Sequence, residues 1–95
     1  MIQFLDQQLV VSGQIDFDNA QAMCEQGHHL IAQHSTFPLV VNLSQLKNGN
    51  TLALAVLIQW LRSTPQAQGL HFQDVPAKML KIIQASHLQD DLVLI

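Results

Sequence analysis

The sequence predicts an α/β fold, a mixed β-sheet with helices packed mainly on one face, in the order β-β-α-β-α-β-α-β. Three observations lead there. Short β-type runs alternate with stretches of helical periodicity, the pattern of strands joined by helical crossovers. A largely apolar run with two valines, Leu39 to Leu43, suits a strand buried on both faces of a sheet. Three helical segments joined by right-handed crossovers would satisfy the connection rules while lying on one face. The runner-up is another small α/β arrangement with helices on both faces. With 95 residues, the chain is expected to form one domain over 1–95, with a modest core that needs no staples.

Taken in order, Ile2 to Leu5 and Leu9 to Ser12 are β-type runs separated by the polar Asp6-Gln7-Gln8, a hairpin pattern. Gly13 ends the second run. Asp16 offers an N-cap for a helix whose apolar face holds Phe17, Ala20, Cys24, Gly27 and Ile31. That helix should fade near His34-Ser35, ahead of the Leu39 to Leu43 strand. A second helix runs from Leu52 to Arg62. Its wheel groups Ala53, Leu54, Leu57, Trp60 and Leu61 on one side, with Thr51, Leu52, Ala55, Ile58, Gln59 and Arg62 on the other. Pro65 and the polar "STPQAQG" end it. Leu70 to Phe72 forms a short strand. Asp74 and Pro76 then open a third helix reaching about His87, with Met79, Leu80 and Ile83 inward. Leu92 to Ile95 closes the sheet as an edge strand.

Composition removes several function classes. Only 12% of residues are charged, against about 25% in an average soluble domain, which fits either a surface that docks on other proteins or a small domain that uses Gln as its polar filler. Four Lys+Arg, scattered at Lys47, Arg62, Lys78 and Lys81, give no footprint for nucleic acid or for a polybasic membrane anchor. The longest apolar run, Leu52 to Ile58, is far short of the roughly 20 residues that span a bilayer, so no direct membrane insertion is expected. The first residues lack a basic n-region and carry Asp6, unlike a signal peptide. A single cysteine, Cys24, forms no internal disulfide, and together these features read as cytoplasmic.

Catalysis and metal binding find no constellation. The densest histidine cluster, His28, His29 and His34, lacks the i,i+3 or i,i+4 spacing that turns two imidazoles to one helix face. His71 and His87 stand alone. Cys24 lies on an apolar stripe, where a thiol behaves as a small hydrophobe. The four glycines are isolated and build no phosphate cradle. Asp90-Asp91 reads as a solvated turn, and Trp60 as a core anchor. No nucleophile, base and oxyanion donors come together, so the chain is read as not an enzyme, with no cofactor and no metal.

One place stands out. "KNGNT", Lys47 to Thr51, is a polar corner between the two most hydrophobic segments. Asn50 or Thr51 can cap the helix that follows, and Gly49 permits a positive φ. The carboxyl end of a strand meeting a helix N-terminus is also where open α/β sheets place their sites. From Thr51 the outer face continues through Leu52, Ala55 and Ile58 to Arg62. It is more apolar than water favours, which implies a covering element or partner.

The element order and this corner resemble the STAS family (sulfate transporter and anti-sigma factor antagonist domains). That family's core strand carries "DLS", its phosphoacceptor loop reads Asp-Ser/Thr-x-Gly, and an apolar helix follows. Here the strand reads Asn42-Leu43-Ser44 and the loop Asn50-Thr51-Leu52-Ala53. "GQIDFDNA", with Gly13 and Asp16, is similar to the family's "G-x-ID" at the start of the first helix. Asn50 stands in place of the usual acid, and Leu52-Ala53 in place of the residues around the usual glycine. Within the family, the apolar "TLALAVLIQWL" and the short bare domain are most similar to the MlaB-like group. The resemblance implies a STAS-like fold and a non-catalytic cytoplasmic subunit of the Mla phospholipid-transporting ABC complex, peripheral to the inner membrane. It implies binding to the ATPase subunit, and through it to the membrane permease and substrate-binding subunits, in support of outer-membrane lipid asymmetry. Carried onto this chain, the matching hydroxyl is Thr51, with Asn50 and Leu52 beside it. Ala55, Ile58 and Arg62 join that partner-binding surface by the helical wheel alone. The alternative is an anti-sigma factor antagonist switched by phosphorylation of Thr51. A third reading, an NTP- or ligand-sensing domain, finds no phosphate loop or basic pocket. A docking surface on the third helix near Lys78, Lys81 and Ile82 would replace the corner if Ile58→Asp and Thr51→Arg variants stay folded and still bind the partner.

Overall fold

In a computed structural model that describes residues 1–34, 37–65 and 68–95, the alternating pattern becomes one five-stranded sheet and three helices. The elements are β1 (Ile2–Leu5), β2 (Gln8–Gln14), α1 (Ala20–Ala32), β3 (Leu39–Lys47), α2 (Thr51–Arg62), β4 (Leu70–Gln73), α3 (Ala77–Ala85) and β5 (Val93–Leu94). Strands neighbour one another in chain order. β1 and β2 are antiparallel, and every later pair is parallel. The hairpin turns on Asp6 and Gln7 with φ of 51° and 64°, the double positive φ of a two-residue turn matched to strand twist. Each parallel pair beyond it is spanned by one helix, as parallel pairing requires.

Burial alternates along the strands. Leu9 and Val11, then Leu39, Val41 and Leu43, then Leu70 and Phe72 point into the core. The residues between them, Val10, Val40, Asn42, His71 and Gln73, stay half-exposed. The helices therefore cover one face. β3 is consequently not buried on both faces, although its largely apolar run suggested that it would be. Its far face is open, and there Asn42 Nδ2 donates to Gln8 Oε1 at 3.0 Å while Gln8 Nε2 donates to Gln73 Oε1 at 3.3 Å. Side-chain amides laced across three strands tolerate water where a second helical layer would otherwise be needed.

β3 also runs four residues past its expected end. Gly13 pairs with Leu46 and Gln14 with Lys47, so this extension leans on β2 alone, beyond the end of β4. Ser44 and Gln45 are exposed there, which is why a hydrophobicity reading stops short.

The first helix starts later than expected. Asp16 does not cap it: its carboxylate closes a separate turn, accepting the Asp18 and Asn19 N–H groups at 3.0 Å each. Asn19 is the N-cap of α1, and the helix proper begins at Ala20. Phe17 therefore lies outside the helical wheel and is 93% exposed, contrary to its expected place on the apolar face. Met23, Gly27 and Ile31 form the buried stripe, with Ala20, Cys24 and Leu30 at its margins. Gly27 sits against the indole of Trp60, and a methyl built there would overlap the ring. Trp60 is fully buried, and its Nε1–H donates to the Cys24 carbonyl at 2.9 Å. This contact fixes α1 against α2.

α2 buries Ala53, Leu54, Val56, Leu57 and Trp60, with Leu61 half-buried, so its inward side is the expected one widened by Val56. In α3 Met79 and Ile83 are buried, and Leu80 is at the margin. α3 ends at Ala85, two residues before the expected limit. Ser35, and Gln66-Ala67 of the stretch expected to end α2, lie outside the described residues.

Candidate functional site: the β3–α2 corner

The polar corner is a tightly determined piece of backbone. Asn50 adopts the extended conformation of an N-cap, with φ −98° and ψ 177°, and its Oδ1 accepts the Ala53 N–H at 2.7 Å. The cap is thus Asn50 and not Thr51, which occupies the first helical position. A cap of this kind contributes about 1 kcal/mol. Asn50 has a second role that an aspartate has no hydrogen to fill. Its Nδ2–H donates to the Ile15 carbonyl at 3.2 Å, tying the corner to the segment between β2 and α1. A neutral amide at position 50 therefore couples two loops at one end of the sheet.

Gly49 is needed for space and not for a left-handed turn. The positive φ of the corner, 52°, belongs to Asn48. Gly49 is buried, and a Cβ there would come within 3.1 Å of Met79 Cβ and 3.2 Å of Pro76 Cβ. The corner is pressed against the start of α3, which explains why a glycine interrupts the apolar pattern at that point.

With the cap assigned to Asn50, Thr51 is exposed, and among the described residues no hydrogen bond engages its hydroxyl. Ala55 and Arg62 are exposed on the same face, while Leu52 and Ile58 are half-buried along its two flanks against the core. All six expected residues therefore lie at the corner or on one side of α2. The surface is narrower in its exposed apolar content than the wheel implied, because Leu52 and Ile58 each lend part of their side chain to the core. Arg62 places a cation in the last turn of α2, where it favours the helix dipole and leaves its head in water.

Elsewhere the chemistry is sparse. The histidines are spread out. The His34 ring lies 4.2 Å from Phe4, with Nδ1 2.7 Å from the Leu30 carbonyl, while His29 Nε2 lies 3.1 Å from Gln33 Nε2. Among the described residues no group of His, Cys, Asp and Glu side chains is placed to hold a metal. Burial pushes the Cys24 thiol above its usual range, with the Glu25 carboxylate acting in the same direction, so the reactive thiolate is disfavoured. A surface recess beside His28, Ile31, His34, Phe37 and Ser63 lies toward the C-terminal ends of α1 and α2, away from the corner. Among the described residues no helix is long and apolar enough to cross a membrane.

The family described as "Mlab, STAS domain" matches residues 2–95. The chain belongs to that STAS family. Two solved structures are similar along the whole length, the Acinetobacter MlaFEDB complex in its ATP-bound Vtrans1 and Vtrans2 conformations. In each, one chain is 61% identical with a TM-score of 0.92, and the match covers 100% of both chains. No curated protein matches the chain significantly. In this STAS domain the exposed hydroxyl of Thr51 stands beside the neutral cap Asn50 and the half-buried Leu52.

Phe17 departs from its expected place on the apolar face of the first helix. Its signal was present in the chain: Asp16 and Asn19 flank it at the spacing of a side-chain-closed turn. Reading Asp16 as the helix cap hid that turn.

Proposed function

We propose that this chain is the non-catalytic STAS subunit of an ABC-type phospholipid transporter, and that it docks on the transporter's ATPase subunit. The observation that carries the reading is the full-length match, 61% identical, to a chain of the MlaFEDB complex. That complex is described in ATP-bound conformations, consistent with an ATPase among its components. By the same similarity the chain works at the inner membrane from the cytoplasmic side, held there through the ATPase and indirectly through the permease and substrate-binding subunits. Its role is to support the ATPase in keeping outer-membrane lipids asymmetric. The docking surface comprises Asn50, Thr51, Leu52, Ala55, Ile58 and Arg62. The exposed hydroxyl and the apolar strip behind it favour this over a phosphorylation switch, for which the acid at position 50 is absent.

Affinity-tagged chain produced in its native host should carry an ABC ATPase subunit through gel filtration. Thr51→Arg, which forces a long cation into the middle of the docking surface at an exposed position, should cut that recovery at least tenfold without changing the melting temperature. Recovery of the wild-type chain alone, or with a protein kinase and with phosphate on Thr51, would sink the transporter reading.

A further inference from the structure

Among the described residues Phe17 is the most exposed large apolar side chain, and it sits on a hydrogen-bonded turn. It is 93% exposed, whereas Ile15, two residues earlier, is fully buried and pins the segment to the core. The turn between them and α1 is closed by side chains. Asp16 Oδ1 accepts the Asp18 and Asn19 N–H groups at 3.0 Å, Asn19 Oδ1 accepts the Asp16 N–H at 2.9 Å, and Asn19 Nδ2 donates to the Gln14 carbonyl at 2.8 Å. An aromatic ring held on a preformed turn loses little backbone freedom on binding. The turn is also joined to the corner, because the Ile15 carbonyl accepts from Asn50, the residue before Thr51.

We propose that Phe17 is the aromatic anchor of the docking surface that includes Thr51, inserting into an apolar recess of the ATPase subunit bordered by lysine or arginine. This rests on the ATPase-docking reading above. Charge selects the occupant. Asp16 and Asp18 flank the ring, and the chain as a whole carries seven Asp+Glu against four Lys+Arg. A second copy meeting this turn about a two-fold axis through the ring would set the acids of one turn against the same acids of the other. An anionic lipid surface would repel the same pair. A partner with a basic rim pairs with both acids while its recess takes the ring, the arrangement of an interface hot spot with a polar border.

The test uses purified ATPase subunit and full-length chain, comparing wild type with Phe17→Ala, Phe17→Trp, Asp18→Lys and Thr51→Arg, with melting temperatures alongside. Phe17→Ala is expected to weaken binding at least tenfold with an unchanged melting temperature. Phe17→Trp should restore affinity to within about threefold, and Asp18→Lys should weaken binding most at low salt. If Phe17→Ala binds as wild type while Thr51→Arg does not, the anchor is refuted and corner docking stands. If neither variant alters binding, both are refuted. If the isolated wild-type chain self-associates and Phe17→Ala only abolishes that, the occupant is a second copy and the proposal is overturned.

Discussion

Trp60→Ala is expected to remove about 3–5 kcal/mol of stability, the range for deleting a large aromatic from a packed core. Domains of this size have roughly 5–15 kcal/mol in total, so the variant should sit near the edge of folding. The reason is local and specific. The indole is fully buried, its N–H is satisfied by the Cys24 carbonyl, and its ring fills the gap that Gly27 leaves on α1. Gly27→Ala alone should also destabilise. A methyl there overlaps three atoms of a buried ring, so the cost lies toward the upper end of the roughly 1–3 kcal/mol of overpacking and outweighs the ~1 kcal/mol that alanine adds to helix propensity. In the Trp60→Ala background the overlap disappears, so Gly27→Ala should become neutral or stabilising there. Urea unfolding of the four combinations measures the coupling, and strict additivity would contradict the proposed α1–α2 contact.

Ile58→Asp is expected to abolish binding to the ATPase subunit while leaving the chain folded. Ile58 is half-buried on the flank of α2, so its replacement gives up only part of the roughly 1.5–3 kcal/mol of a fully buried side chain. If the proposed docking surface holds, the ATPase encloses this position, and a carboxylate there must be desolvated without a partner, which costs several-fold more than the lost contact. Binding should fall at least a hundredfold, while the free chain loses about 1–2 kcal/mol. Ala55→Asp separates the two effects, because Ala55 is exposed and its substitution should cost only the helix-propensity difference of about 0.7 kcal/mol. Calorimetric titration against the ATPase subunit, with thermal unfolding of each variant, reads both quantities.

Much of this fold was legible because its helices and strands obey their own periods. α2 announced itself by Ala53, Leu54, Leu57 and Trp60, and the sheet by separated β-type runs. What escaped was set by contacts between distant segments. Leu39 to Leu43 reads as a doubly covered strand, yet its far face is open because Gln8, Asn42 and Gln73 satisfy one another there. Gly49 reads as a turn glycine, but the left-handed residue is Asn48, and Gly49 is small because Pro76 and Met79 press upon it. The choice between Asn50 and Thr51 as cap was open in the sequence. Only the position of Ile15, 35 residues away, shows why an amide suits the corner. At the site, the wheel placed Thr51, Ala55 and Arg62 outward correctly, and overstated the exposure of Leu52 and Ile58, which the core partly claims.

The central claim is that the corner and the outer face of α2 meet an ABC ATPase. A photoreactive amino acid at position 55, on the exposed face of α2, tests it most directly when compared with one at Lys81 on the exposed side of α3. Irradiation of the assembled complex should join position 55, and not position 81, to the ATPase subunit. Crosslinks from position 81 with none from position 55 would contradict the account and move the docking surface to α3.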